Sequence, residues 1–129
     1  MAFEEKRYCS IFLSKYTIHV GNLLPPNTPD LRAHCAAKNK EIWNSTIPVN
    51  NNIEWNFCYS FFRRTLYFCH FFWGSSDASF DVFNSKIADL CYGNICYWEV
   101  RSDGMYLSGS NPPTNFKKMH DWNKPPHIA

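Results

Sequence analysis

Thr65-Leu66-Tyr67-Phe68-Cys69-His70-Phe71-Phe72-Trp73 is the stretch around which the chain is organised. It packs five aromatics and a cysteine into nine residues, with no Gly or Pro inside. Aromatic and β-branched side chains fit a pleated surface, so the run reads as a strand with both faces buried. A buried helix would need more length. Here Arg63-Arg64 precedes the segment and Gly74-Ser75-Ser76-Asp77 follows it, and both flanks read as loop. As a strand it places Tyr67, Cys69, Phe71 and Trp73 on one face, and Leu66, Phe68, His70 and Phe72 on the other. It is expected to be a central strand, tied through Cys69 to a part of the chain distant in sequence.

Working outward, the same period of two recurs. Tyr16, Ile18 and Val20 alternate with Thr17 and His19. Leu31, Ala33 and Cys35 share a face, as do Ile53, Trp55 and Phe57, Phe80 and Val82, and Cys96, Trp98 and Val100. Glu41 to Ile47 reads as a short edge strand ended by Pro48, and Met105 to Leu107 as a last strand after the hairpin signal Ser102-Asp103-Gly104. Asn84 to Asn94 reads as a polar connection. No segment reads convincingly as helix. About eight short strands joined by short loops imply an all-β fold, a mostly antiparallel β-sandwich or barrel. The 129 residues make one domain. It divides into an N-terminal arm over 1–14, the β-sandwich over 15–108 and a Pro-containing, extended or mobile C-terminal tail over 109–129.

Aromatics make up 18 % of the chain, enough for a real core, and the net charge of +2 does not point to nucleic acid. No window approaches the ~20 apolar residues that span a bilayer. The six cysteines, Cys9, Cys35, Cys58, Cys69, Cys91 and Cys96, include no Cys-x-x-Cys pair. An even count in a short chain suits an oxidising compartment, although six cysteines allow fifteen connectivities and spacing chooses none of them. The start, Met-Ala-Phe-Glu-Glu-Lys-Arg, holds no apolar stretch. The expectation is a secreted chain in its mature form with an added start, and Asn44-Ser45-Thr46 is then a usable glycosylation signal on a surface loop.

Catalytic and metal chemistry find little support. His34-Cys35 and Cys69-His70 hold the inventory of a zinc site, but neighbours on a strand point to opposite faces and do not converge. Acidic residues are scattered singly, and no nucleophile elbow or phosphate-cradling loop occurs. No cofactor or metal is expected, and the default is a binding or signalling module rather than an enzyme.

The ordered pieces resemble the plant self-incompatibility protein family, the S-protein homologues. They are Leu31, His34, Cys35 and Lys38, then Trp55-Asn56-Phe57, Thr65 to Cys69 with Phe71 and Trp73, Phe80 to Phe83, Cys91 with Cys96, Trp98 and Val100, and Asp103-Gly104. The resemblance spans Tyr16 to Leu107. It implies a small secreted β-sandwich with disulfides Cys35–Cys96 and Cys69–Cys91, to which Cys9 and Cys58 add a third bridge. The chain departs from the family pattern at Asn39 to Trp43 and at Arg63-Arg64. The resemblance further implies a monomeric extracellular ligand, neither inserted in the membrane nor bound to nucleic acid, that meets a cell-surface receptor, with pollen–stigma self-recognition as one such role. Loops at the sandwich ends are the expected contact, through Arg63, Arg64, Asp77, Lys86 and Asp89. The alternative is a secreted defence or glycan-binding protein, motivated by Tyr59, Phe61 and Phe62.

Overall fold

The computed structural model describes residues 2–3, 9–10, 13–60 and 64–124. Ten strands and one short helix are formed among them. They are β1 (Ala2–Phe3), β2 (Ser14–Asn22), β3 (Leu31–Ala37), β4 (Lys40–Ile47), β5 (Asn52–Tyr59), β6 (Tyr67–Trp73), β7 (Ser76–Phe83), α1 (Ser85–Leu90), β8 (Ile95–Arg101), β9 (Gly104–Ser108) and β10 (Lys117–His120). A six-stranded sheet runs β1-β5-β2-β8-β9-β10, and a four-stranded sheet runs β4-β3-β6-β7. The second sheet is antiparallel throughout, whereas the first is mixed. There β2 pairs parallel with β8, and β1 parallel with β5. The parallel β2–β8 pair arises because the chain visits the other sheet between them, so their connection is long.

The alternating residues read from sequence face inward and meet between the sheets. Ile18, Val20, Ala33, Cys35, Cys69, Phe71, Trp98 and Val100 are fully buried. Rings bridge the layers: Phe57 and Tyr67 have centroids 4.7 Å apart, Phe57 and Phe83 4.7 Å, and Phe80 and Trp98 5.1 Å. Trp98 Nε1 donates to Val82 O at 3.0 Å, so the largest core side chain also hydrogen-bonds across the sandwich. Asn22, where β2 ends, is buried too. Its Nδ2 donates to Ile47 O at 2.7 Å and its Oδ1 accepts from Leu24 N at 2.9 Å.

β6 lies inside its sheet, between β3 and β7, but only one of its faces enters the core. Tyr67, Cys69 and Phe71 are buried, while Phe72 is 38 % exposed on the opposite face. That outer face is covered by itself: His70 stacks on Phe72 at 4.0 Å and contacts Asp77 through Nε2 and Oδ2 at 2.7 Å. The expectation of two buried faces is therefore corrected to one.

The disulfides differ from the expected pairing. Cys35 joins Cys69 and Cys91 joins Cys96, in place of Cys35–Cys96 and Cys69–Cys91. The register explains both. Cys35 lies directly opposite Cys69 on neighbouring antiparallel strands, with Cα atoms 4.1 Å apart. Cys96 belongs to the other sheet, and the turn after α1 returns the chain from Cys91 to it within five residues. The third bridge joins Cys9 to Cys58.

Two further expectations change. The segment read as a polar connection contains α1. Asn84 Oδ1 caps it by accepting from Ile87 N at 2.9 Å, and Ile87 and Ala88 are buried beneath it. The tail expected to be extended or mobile from 109 is part of the fold through Asn123. β10 pairs with β9, Trp122 is buried and donates Nε1 to Arg101 O at 2.8 Å, and Asn123 forms a bridge with Asp77 on the edge of β7.

The candidate recognition end

The registers place one set of segments at the end of the sandwich where β6 begins. Tyr67 pairs with Phe83, and Ala36 with Phe68, so the β3–β4 turn, the entry Arg64–Leu66 and α1 all lie there. From the other sheet, Ser14 pairs with Tyr59 and Thr17 with Ile95, which brings the start of β2 and the Cys91–Cys96 loop to the same end. Arg64, Lys86 and Asp89 are therefore gathered at this end, and all are exposed. Asp77 is not. It lies at the start of β7 near the opposite end, with its side chain on His70 and its backbone on Asn123. The loop expected over Gly74-Ser75-Ser76-Asp77 is a hairpin whose strand residues already pair at Trp73 and Ser76. Arg63 lies outside the described residues, as do Phe61 and Phe62.

The Cys91–Cys96 loop is held from several sides. Asn94 N donates to Cys91 O at 2.9 Å, and Asn94 takes φ 60°, a conformation Asn tolerates well. Thr17 N donates to Asn94 O at 3.0 Å, and Asn94 Nδ2 donates to Lys15 O at 3.3 Å. Gly93 N donates to Gly109 O at 2.9 Å. A Cβ on Gly109 would fall 1.7 Å from Leu90 O, so only glycine lets the two backbones approach this closely. From this braced loop Tyr92 projects with 77 % of its surface exposed, beside Leu90 at 47 %. Sequence reasoning missed both. The available signal was an aromatic ring isolated in a polar segment between Cys91 and Gly93.

A cleft of about 580 Å³ opens at the same end, between the β3–β4 turn and the entry to β6. Lys38, Lys40 and Arg64 line it together with Leu66 and Phe68, and among the described residues no carboxylate does. Leu66 is 44 % exposed. Nearby, the Tyr16 hydroxyl is pushed above its ordinary range, first by burial and then by Tyr59 and Asp89.

The other chemistry-bearing residues pair off singly. His19 contacts Glu54 at 3.3 Å and His34 contacts Glu41 at 2.8 Å. His34 and His70 face each other across β3 and β6, while Cys35 and Cys69 point inward and are bonded together. Among the described residues, no three His, Cys, Asp or Glu side chains gather into a metal-holding group. Tyr59 packs on Tyr16 at 5.4 Å and on Phe83 at 5.1 Å, so its ring serves the core rather than a sugar platform. Asn44 is exposed on β4, the outermost strand of its sheet among the described residues and not a loop, and its Oδ1 accepts from Arg32 Nη2 at 2.9 Å.

Comparison with known proteins agrees with this architecture. The family described as plant self-incompatibility protein S1 matches residues 17–122. S-protein homolog 2 of Arabidopsis thaliana is 31 % identical over 115 residues, covering 86 % of this chain and 70 % of the relative. Self-incompatibility protein S1 of Papaver rhoeas is 25 % identical over 83 residues, covering 62 % of this chain and 59 % of the relative. A solved structure from the self-incompatibility protein homologues, described as small, highly stable, secreted proteins from plants, superposes with a TM-score of 0.65. It is 13 % identical and the match covers 89 % of this chain and all of that one, which speaks for the fold.

Proposed function

The chain belongs to the plant self-incompatibility protein S1 family, small secreted proteins of plants, and from that premise we propose that it is an extracellular signalling ligand read by a cell-surface receptor. The observation that carries the reading is Tyr92. A large ring left 77 % exposed costs solvation, and a loop fixed by a disulfide and backbone hydrogen bonds has little conformational freedom left to lose on binding. Rigid exposed aromatics are the usual anchors of protein interfaces. Arg64, Lys86 and Asp89 surround this end and supply the polar rim. Self-incompatibility, which the poppy relative's name gives, is one setting for such a ligand, with pollen–stigma self-recognition as the form proposed. An N-glycan on Asn44 would sit on the edge strand β4 and block edge-to-edge pairing, and a mass shift on deglycosylation of the secreted chain tests for it.

The deciding experiment is binding of labelled, oxidised protein to live cells from floral tissue. Saturable binding is expected, with loss on reduction and at least roughly thirtyfold weakening in Tyr92→Ala, the cost of a hot-spot residue. Absence of saturable binding to every cell type would overturn the ligand reading, and full affinity in folded Tyr92→Ala would move the contact elsewhere.

A further inference from the structure

We propose that the cleft between the β3–β4 turn and the entry to β6 binds an acidic peptide segment of the partner, one that alternates carboxylates with apolar side chains. This deepens the ligand reading and rests on it for the partner's identity, but the chemistry of the cleft stands by itself. Its walls carry Lys38, Lys40 and Arg64 and, among the described residues, no acid. Among the described residues, Lys38 and Arg64 take part in no ion pair, whereas Arg101 is committed to Glu99 at 2.6 Å and Lys118 to Asp121. Two such cations, Lys38 and Arg64, on one cleft repel each other and favour an anion between them. The guanidinium of Arg64 suits a carboxylate in two-point contact.

The floor narrows the choice of anion. Leu66, 44 % exposed, and the half-buried Phe68 form an apolar strip beneath the cations. A wall polyanion such as an oligogalacturonide offers regular carboxylates but no apolar side chain for that strip. A peptide offers both. A volume of about 580 Å³ falls within the range of sites that enclose a small ligand or a few side chains, and is too small for a folded domain.

The test uses the full oxidised chain and a fluorescein-labelled octapeptide alternating Glu with Leu, with a Lys–Leu octapeptide and a labelled oligogalacturonide as comparisons. The Glu–Leu peptide is expected to bind best, to weaken as salt is raised, and to lose at least about tenfold in affinity to the double variant Lys38→Glu, Arg64→Glu. Amide chemical shifts of the unmutated protein are read in parallel. Movement concentrated at Lys38, Arg64, Leu66 and Phe68 supports the site even where the double variant folds poorly. No binding, unchanged binding by the folded double variant, shifts centred elsewhere, or preference for the oligogalacturonide would each overturn it. Cell binding separates the two readings. Tyr92-dependent cell binding retained by the folded double variant would reject the cleft and leave the ligand role standing. Peptide bound in the cleft of a protein that binds no cell would reject the role and leave the cleft standing.

Discussion

Asn22 shows how one polar side chain can hold two layers together. It is 1 % exposed and satisfies Ile47 O on the edge strand of one sheet while fixing Leu24 beyond the end of β2 in the other. Its backbone also pairs with Asn50 and Asn51. Truncation to Ala strips the partner from a buried carbonyl and a buried amide, which costs roughly 1–3 kcal/mol each in the buried limit. Asn22→Ala should therefore lose about 2 kcal/mol or more in urea unfolding, with an unchanged slope. His120 gives a pH signature at the same scale. Its ring stacks on Phe80 at 4.0 Å, and burial holds its pKa below the ordinary value of 6.5 in spite of Asp121 and Asp81, which pull it up. The unfolded chain thus binds a proton that the folded chain resists. The stabilising contribution is complete above the ordinary histidine value and fades as pH falls through 6.5 towards the lowered one. Replacement by Phe keeps a ring on Phe80 and removes the proton. Melting curves from neutral to acid pH should show the folded chain losing less stability in His120→Phe than in the wild type. Parallel curves would reject the assignment.

At the scale of elements, β10 and the residues after it are what the sequence conceals most. Trp122 is buried against Trp73, with ring centroids 5.6 Å apart, and its indole nitrogen holds Arg101 O. Trp122→Ala should cost about 3 kcal/mol, the low end for a buried tryptophan, seen as a lower urea midpoint. No loss would mean that β10 and its flank contribute nothing to the fold. The strands that were legible share one property: β2, β3, β5 and β8 each bury one face and wet the other, so a period of two is written into their composition. β10 has four residues, all exposed or half-buried, and carries no such pattern. α1 has six residues, too few for a helical period to appear, and only the Asn84 cap and the Ile87-Ala88 pair mark it. β6 misled in the opposite way, since its outer Phe72 and Phe68 are hydrophobic by type yet pack at the surface on His70 and on the edge of His34 respectively. The pairing of Cys35 with Cys69 depends on the register between β3 and β6, which residue spacing does not encode. At the candidate site, Arg64, Lys86 and Asp89 were legible as exposed charge. Tyr92 was not, because what makes it prominent is the bracing of its loop by Gly109 and Thr17, both distant in sequence.

For the whole molecule, the three disulfides differ in the length of chain they close and in whether they hold the loop carrying Tyr92. They close loops with sequence separations of 49, 34 and 5 residues for Cys9–Cys58, Cys35–Cys69 and Cys91–Cys96. If a bridge acts mainly by restricting the unfolded chain, those spans correspond to about 4, 4 and 2 kcal/mol. The shortest bridge thus stabilises the fold least, yet it is the one that closes the loop carrying Tyr92. Removing one bridge at a time, by replacing both of its cysteines, separates the two contributions. Cys9→Ala with Cys58→Ala should lower the unfolding free energy by about 4 kcal/mol and leave cell binding close to wild type while the chain remains folded. Cys91→Ala with Cys96→Ala should cost about 2 kcal/mol and, on the proposed ligand role, abolish most binding, because the loop regains freedom that it must lose again on binding. Urea titration and cell binding on the same preparations measure both quantities. Binding that tracked stability across the pairs would mean the disulfides serve only the fold. Binding lost out of proportion with the weakest bridge would mean that this end of the sandwich is built to hold one ring still.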